Sequence, residues 1–287
     1  MDINWFLVPH DKSVNLKDYD TSFTGKFKDK DEARQKLEED IKEMARLQDI
    51  LYASNKYGVL LIFQAMDAAG KDGTIKHVMS GINPQGCEVY SFKAPSKEEL
   101  DHDYMWRCMK RIPEKGRIGI FNRSYYEEVL VTRVHKEILE SQNLPDKSFN
   151  HDFWNKRYDD INNIEKYLVN NGIVIVKFFL NVSKNEQKKR FLERINREEK
   201  NWKFSASDAK ERQLWDKYHD AYEIMFNKTS TRHAPWYIIP ADKKWFTRAA
   251  VSEVVVKTLK NLNLEYPKVS EEHKAELSRI KKELESE

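Results

Sequence analysis

Five short apolar runs divide the chain, and polar or amphipathic stretches separate them. The runs are Gly58–Ala65, Cys87–Lys93, Arg117–Phe121, Ile173–Val182 and Trp236–Pro240. Because they are continuous rather than alternating, they predict strands buried on both faces, and the helical connections between them predict parallel pairing with right-handed crossovers. The pattern therefore predicts an α/β fold, a three-layer α/β/α sandwich with a parallel five-stranded sheet.

Apolar residues at three- and four-residue steps predict the helices. From Asp31 to about Asn55, residues such as Leu37, Ile41 and Met44 recur in this way and indicate one long amphipathic helix. Further helices are expected near 73–81, 97–111, 124–140, 149–170, 184–197, 207–229 and 245–262. The tail from Ser270 predicts a charged helix, either a solvated face or an oligomer contact.

Composition limits the classes of partner. Fifty Lys and Arg residues against 47 Asp and Glu give a net charge of +3, so no overall field indicates a nucleic-acid or membrane partner, and any anion site must be local. The two cysteines, Cys87 and Cys108, form neither a disulfide framework nor a zinc pattern. No leader and no apolar stretch of about 18 residues is evident, so a cytoplasmic protein is expected.

The strand Gly58–Ala65 runs into a turn of small residues and then into a helix start at Gly70 and Lys71. Backbone N–H groups of such a turn, together with the positive end of the helix, can bind phosphate oxygens, and a lysine there brings a positive charge to them. The usual pattern GxxxxGK[ST] is matched imperfectly, because Ala65 replaces the first glycine and Asp72 the hydroxyl residue. The remaining candidate phosphate-binding residues of this segment are Ala68, Ala69, Gly73 and Thr74.

Asp67 lies inside this anion-binding turn. A carboxylate beside bound phosphates is electrostatically unfavourable unless a divalent cation bridges them or a reacting phosphate needs positioning. Asp67 is therefore the candidate metal ligand. The alternative interpretation is a helix N-cap.

A second strand also ends in an ionisable turn, in the segment Ile118–Glu128. Ligands of parallel α/β sheets bind at the carboxyl ends of strands. Asn122, Arg123 and Glu127 are therefore expected to face the loop that carries Lys71.

A basic segment follows the strand at 173–182. Arg190, Arg194 and Arg197 recur at helical spacing and predict either a solvated helix or a lid, about 184–212, whose cations close over phosphates. The chain is interpreted as a single domain over 1–287, with an N-terminal arm and helix (about 1–55), this lid and a C-terminal helical tail (about 264–287).

Taken together, these segments resemble the polyphosphate kinase 2 family over roughly residues 30 to 262. The resemblance rests on FQAMDAAGKDGTIK at 63–76, INPQGCEVYSFKAPSKEELDHDYMWR at 82–107, IGIFNRSYYEEVLVTRVH at 118–135 and NWKFSASDAKER at 201–212. It implies a P-loop kinase fold similar to thymidylate kinase, a homo-oligomer, and reversible phosphoryl transfer between inorganic polyphosphate and purine nucleotides. Mg²⁺ is the implied cofactor, with Mn²⁺ as an alternative.

Many members of this family have Asp-Arg-Ser where this chain has Asn122-Arg123-Ser124. With Glu127, this departure resembles the branch that accepts both nucleoside mono- and diphosphates, which implies AMP and ADP as acceptors and GMP and GDP as further ones. The asparagine replaces a charged metal ligand with a weaker one.

The working hypothesis assigns roles to the catalytic candidates Asp67, Lys71, Arg123 and Glu127. The loop and Lys71 hold the reacting phosphates, Asp67 and Mg²⁺ position them, and Glu127 orients the acceptor. Arg123 and Arg133 clamp the nucleotide phosphates, and Arg194 and Lys203 cover the site.

Two other functions are consistent with the same residues. An ATP-dependent nucleoside or nucleotide kinase would have the same loop and lid. A non-catalytic nucleotide- or nucleic-acid-binding protein is the second alternative, although Asp67 has no evident purpose in a pure binder.

Overall fold

The computed structural model describes all 287 residues, and an all-parallel sheet lies at its centre. Its strands are β1 (Gly58–Ala65), β2 (Cys87–Ser91), β3 (Ile118–Asn122), β4 (Ile173–Asn181) and β5 (Trp236–Pro240). The spatial order is β2-β3-β1-β4-β5. The five predicted strands and their parallel pairing are confirmed. β1 is central, and all its residues are buried.

Thirteen helices accompany the sheet. They are α1 (Lys30–Ser54), α2 (Lys71–Val78), α3 (Lys97–Asp101), α4 (Trp106–Met109), α5 (Glu127–Val134), α6 (Lys136–Glu140), α7 (His151–Asn170), α8 (Lys184–Asn196), α9 (Glu198–Asn201), α10 (Ala206–Gln213), α11 (Trp215–Thr229), α12 (Lys244–Asn261) and α13 (Glu271–Glu285). None of them has both the length and the apolar character that crossing a membrane requires.

The helices pack in two layers around the sheet, as the α/β/α prediction requires. One group contains α1, α12 and α2, with α12 also packed on β4 and β5. The other contains α5, α7 and α11, with α7 packed on β4. Apolar side chains of all three layers form one continuous core.

Three predicted helices are each divided in two. Residues 97–111 form α3 and α4 because the Asp103 side chain accepts a hydrogen bond from the Met105 N–H, a local turn that competes with helix. The stretch 124–140 is interrupted at His135, whose φ of −113° and ψ of 84° are not helical. A break at Leu214 separates α10 from α11.

The N-terminal arm makes a short antiparallel bridge to the edge strand β5. The Val8 N–H donates to the Trp236 carbonyl at 2.9 Å, and the Ile238 N–H donates to the Phe6 carbonyl at 2.8 Å. Phe6 and Val8 are buried. The arm thus occupies backbone groups that an open sheet edge would expose.

A buried ion pair links β4 to the helices beside it. Lys177 lies in β4, and its Nζ is 2.7 Å from Glu165 Oε2 in α7, with both side chains fully buried. The same Nζ donates to the Tyr126 hydroxyl and to the Thr229 carbonyl, each at 2.8 Å, so all three ammonium protons have acceptors. Glu165 Oε1 accepts from the hydroxyls of Tyr125 and Tyr126. The network fixes β4, α7 and the turn before α5 against one another.

We expect the Lys177→Met substitution to lower the free energy of unfolding by about 3–5 kcal/mol, because it leaves the Glu165 carboxylate buried without a counter-charge. Urea denaturation followed by circular dichroism measures the effect. Adding Glu165→Gln should recover at least about 1 kcal/mol, since glutamine removes the charge and keeps an acceptor for both tyrosines. A double variant no more stable than the single one would contradict the buried-charge explanation.

Candidate phosphate-binding site

The two polar turns predicted from the sequence lie side by side at the carboxyl edge of the sheet. β1 and β3 are neighbours, and Phe63 is in register with Asn122. The Arg123 N–H donates to the Phe63 carbonyl at 3.0 Å. Arg123 has a φ of 64°, a left-handed conformation that is unfavourable for a side chain with a Cβ and is typical of functional turns. The structure places Asn122, Arg123 and Glu127 beside the loop after β1, where the sequence predicted them to lie.

The loop from Met66 to Gly70, here the phosphate loop, has its carbonyl groups bonded within the protein. Gln187 Nε2 donates to the Asp67 carbonyl at 2.9 Å, and Lys71 Nζ donates at 2.9 Å to the carbonyl of Ala65, the residue before the loop. Backbone N–H groups of the loop and of α2 occupy two more carbonyls, those of Met66 and Gly70. The remaining two, those of Ala68 and Ala69, accept from Arg190.

Arg190 anchors the phosphate loop through its carbonyl groups. Its Nη1 donates to the carbonyls of Ala68 and Ala69 at 2.9 and 2.7 Å, and its Nη2 donates to those of Ala241 and Asp242 at 2.6 and 3.0 Å. Its Nε donates to Glu186 at 2.9 Å. All five guanidinium donors are therefore used, and the side chain is buried. Arg190 joins the phosphate loop to the residues that follow β5.

The amide side of the loop is free. The N–H groups of residues 67, 68 and 70–73 donate to no acceptor in the protein. Positive φ values of 59° at Ala68 and 108° at Gly70 turn the backbone, and Gly70 is the N-cap of α2. Free amides at a helix start attract anions. The loop is therefore built to receive phosphate oxygens.

Four charged side chains surround this loop. Arg123 Nη2 is 3.2 Å from Asp67 Oδ1, and Arg123 Nη1 is 3.8 Å from Glu127 Oε2. Burial lowers the pKa of Lys71, and the neighbouring Arg123 lowers it further. Burial raises the pKa of Glu127, although Arg123 opposes the rise. Glu127 in turn raises the pKa of Arg123, so the arginine stays charged between two carboxylates.

Asp72 and Thr74 lie in the first turn of α2. Asn122 Nδ2 donates to Asp72 Oδ1 at 2.7 Å, which ties the end of β3 to the start of α2. Thr74 is buried, and Gly73 has open space where a side chain would stand. No group of three or more His, Cys, Asp or Glu side chains gathers to bind a metal. A cation here would depend on few protein ligands, with Asp67 the carboxylate on the loop itself.

Two cavities meet at Arg123 and Glu127. The larger has a volume of about 850 Å³ and extends between the segment after β2, α5 and α7. The smaller, of about 430 Å³, is lined by Asp67, by α5 and by residues of α10 and α11. Arg123 and Glu127 line both cavities, so a group beside them is reachable from either side.

The α10 helix is connected to the phosphate loop by side chains. Arg212 Nη1 donates to Gln187 Oε1 at 2.8 Å, and Gln187, which is buried, donates to the Asp67 carbonyl. The preceding residue of α10 also contacts α5's end, since Glu211 Oε2 is 2.9 Å from His135 Nε2. Burial would lower the pKa of His135, but its bonds to Glu211 and Glu137 outweigh burial and raise it.

The predicted row of lid cations is not formed. Arg190 is buried in the contacts described above, and Arg197 lies beyond the end of α8, paired with Glu193 and Glu199. Arg194 donates to the Lys203 carbonyl at 3.1 Å. The three arginines do not line up because burial and local partners, rather than helical spacing, determine where a long arginine side chain lies.

Two other predicted site residues, Arg133 and Lys203, lie away from the phosphate loop. The Arg133 guanidinium is 5.0 Å from the Trp154 ring and 3.4 Å from the Tyr158 hydroxyl. The exposed Lys203 Nζ is 4.8 Å from the Trp202 ring. Arg133, Arg194 and Lys203 line neither cavity.

Several site residues were absent from the sequence prediction. Gln187, Glu211, Arg212 and Tyr218 line the smaller cavity. The only sequence signal for Gln187 was its place near the start of the helix that follows a buried strand. Such helix starts lie at the ligand-binding edge of a parallel sheet.

Comparisons with known proteins identify the family of the chain. Residues 27–267 match the family model described as Polyphosphate kinase 2. The "ADP-polyphosphate phosphotransferase" of Rhodopseudomonas palustris is 51% identical over 280 residues, which cover 97% of each chain. The "AMP/ADP-polyphosphate phosphotransferase" of Meiothermus ruber is 43% identical over 263 residues, 91% of this chain and 94% of the relative.

A solved structure is similar over nearly the same extent. The crystal structure of Polyphosphate Kinase 2 from Arthrobacter aurescens TC1 matches with a TM-score of 0.86 and 39% identity. The match covers 94% of this chain and 93% of the other. The predicted fold class is confirmed by this structural match.

We expect Arg190→Met to lower the free energy of unfolding by about 2–4 kcal/mol, because four carbonyls and Glu186 lose a charged donor. Amide hydrogen exchange in residues 66–70 should also become faster. Urea denaturation and exchange mass spectrometry measure the two effects. The matched control is Lys189→Met on the exposed side of α8, which should stay within about 0.5 kcal/mol of the wild type. Equal exchange in both variants would contradict the role of Arg190.

Proposed function

The chain belongs to the polyphosphate kinase 2 family, and we propose that it transfers the terminal phosphate of inorganic polyphosphate to AMP and ADP. The likeness to the Rhodopseudomonas palustris protein supports ADP as acceptor, and the likeness to the Meiothermus ruber protein supports AMP as well. In this proposal the transfer is reversible, makes ATP, and extends to GMP and GDP. The observation that carries it is the free amide edge of the phosphate loop beside Arg123 and Glu127, where two cavities meet.

Two cavities that share charged residues fit a reaction between two anionic substrates, polyphosphate and a nucleotide. A phosphate donor and a phosphate acceptor must approach end to end, with the transferred group between them. Arg123 and Glu127 line both cavities. We therefore place the transferred phosphate at this junction, within reach of the phosphate loop.

In this proposal, each charged residue has a separate role in phosphoryl transfer. Phosphoryl transfer depends mainly on positioning and on neutralising the equatorial oxygens. The loop amides and Lys71 bind those oxygens, and Arg123 stabilises the charge that spreads during transfer. Glu127, whose pKa is raised by burial, lies where it can orient the acceptor phosphate. Arg133, Arg194 and Lys203 require a movement of the protein before they can contribute.

We propose Mg²⁺ as the cofactor, with Mn²⁺ as an alternative. Mg²⁺ is usually held by one or two carboxylates together with substrate phosphates and water. A single carboxylate on the phosphate loop, that of Asp67, fits this donor set, and the absence of a larger acidic cluster does not oppose it. The bound ion would neutralise charge on the phosphates. Asp67 would hold it on the side of the smaller cavity.

The larger cavity suits the nucleotide. Its walls include aromatic and aliphatic side chains such as Phe92, Leu144 and Ile164. Three buried polar atoms without a hydrogen bond belong to residues lining it, namely the Tyr104 hydroxyl, Arg157 Nε and Glu128 Oε1, the last of which lies 3.4 Å from Arg157 Nη2. Apolar walls with a few unpaired polar groups are typical of a site for a small organic ligand. We propose that the base and ribose bind here.

We also propose that the enzyme works in the cytoplasm. Both cysteines are free, and burial raises the pKa of Cys87 to about 11 and that of Cys108 to about 12. Thiols that remain protonated are unreactive and need no disulfide partner, which suits a reducing compartment.

The direct test incubates purified protein with Mg²⁺, long-chain polyphosphate and either AMP or ADP, with no other phosphate donor, and follows nucleotides by chromatography. We expect ATP from both acceptors. ATP from ADP alone would remove AMP from the proposal. Transfer that requires ATP as donor, with none from polyphosphate, would overturn it in favour of an ATP-dependent kinase.

Lys71→Ala is the matched negative variant for this assay. It should lower turnover at least about a hundredfold while the fold is kept, because the transferred phosphate loses its positive partner. The control, Lys76→Ala, removes an exposed lysine from the same helix and should leave turnover near that of the wild type. Near-normal turnover of Lys71→Ala would contradict the assignment.

A separate prediction concerns the nucleotide cavity. Tyr104→Phe removes only a buried hydroxyl that has no partner in the protein, so stability should be unchanged or slightly increased. If that hydroxyl binds the nucleotide, KM for ADP should rise about three- to tenfold, the loss of one hydrogen bond. KM for polyphosphate should not change. A rise in KM for polyphosphate alone would place the donor in this cavity and contradict the assignment.

A further inference from the structure

The C-terminal helix α13 is the one long helix whose residues are all exposed. The family model matches residues 27–267, so α13 lies outside the matched segment. Ser270 caps the helix by accepting a hydrogen bond from the His273 N–H. A 15-residue helix without packing is marginal in water. Its sequence and exposure therefore indicate a partner surface.

An apolar stripe runs along α13. Leu277, Ile280 and Leu284 are 47%, 38% and 62% exposed. Their spacing of three and then four residues fits the a, d, a positions of a heptad repeat. The remaining surface of the helix is charged or polar, with the small residue Ala275 opposite the stripe. The stripe is too narrow for a helix that lies on a large core and matches the seam of a two-stranded coiled coil.

We propose that α13 pairs in parallel and in register with α13 of a second copy of this chain. The charges beside the stripe identify the partner. With Leu277 at a, the g positions are Glu276 and Glu283 and the e positions are Lys274 and Lys281. In a parallel pair, a g residue faces the e residue five positions later on the other helix, so Glu276 meets Lys281 of the second copy. The contact forms twice by symmetry.

The same charges oppose an antiparallel pair. In that arrangement g positions face g positions and e positions face e positions, which would place glutamates near glutamates and lysines near lysines. The charges of two such helices are therefore complementary in the parallel orientation only. Three apolar layers make a weak contact, so the pair should dissociate when the protein is diluted.

Sedimentation equilibrium of the full chain over a range of concentrations tests the pairing. The double variant Leu277→Lys/Ile280→Lys places charge in the seam, and we expect its dimer dissociation constant to rise at least tenfold. The matched control is Ala275→Lys/Ser278→Lys, which adds the same charge on the outer face and should leave association unchanged. Equal association of wild type and seam variant would overturn the proposal.

Cross-linking tests the orientation independently of any other contact between copies. A parallel, in-register pair brings the two residues at position 277 together, so Leu277→Cys should form an intermolecular disulfide under mild oxidation. Ala275→Cys, on the outer face, should not. The native thiols provide little background because Cys108 is buried and Cys87 is partly buried. An uncross-linked Leu277→Cys protein, or equal cross-linking at both positions, would overturn the parallel pairing.

Exchanging the charges tests the partner assignment. Glu276→Lys and Lys281→Glu should each weaken self-association about three- to tenfold, because each creates two like-charge contacts. A mixture of the two variants restores both contacts and should associate as strongly as the wild type. A mixture as weak as its components would contradict the assigned pairing of Glu276 with Lys281.

Discussion

The bonding of the phosphate-loop carbonyls is the constraint on which the site depends. A loop of this kind has both acceptors and donors, and it can bind an anion only if the acceptors are turned away and occupied. Arg190 accomplishes much of this, since its five donors join two loop carbonyls to two carbonyls after β5 and to Glu186. With the carbonyls occupied in this way, the free N–H groups are the groups that the loop presents to an anion.

The charges around the loop follow from the same arrangement. Two cations, Lys71 and Arg123, and two carboxylates, Asp67 and Glu127, lie within one partly buried region. Arg123 stands between the carboxylates and contacts both. A cluster balanced in this way avoids the cost of an unpaired buried charge and still presents strong donors to a phosphate. The left-handed backbone of Arg123 indicates that this residue is held in place by its surroundings rather than by its local conformational preference.

Away from the site, the fully bonded pair Lys177 and Glu165 fixes the layers that carry these residues. Tyr126, which bonds both members of the pair, precedes α5 directly, and α5 begins with Glu127. The buried network and the functional carboxylate are therefore adjacent in the chain. The positions of the site residues therefore depend on a core that is held by polar as well as apolar contacts.

The sequence by itself determined the strands, the phosphate loop and the meeting of Asp67, Lys71, Arg123 and Glu127. Continuous apolar runs and small-residue turns are local signals, and parallel pairing brings strand ends to one edge. Only the tertiary structure decided the sheet order, the two cavities, and the positions of Arg190, Arg133 and Arg194. These arginines have the same chemistry in the sequence. Burial and the acceptors within reach decide whether such a flexible side chain supports a loop, packs on an aromatic ring or remains near solvent, and both depend on residues distant in the chain.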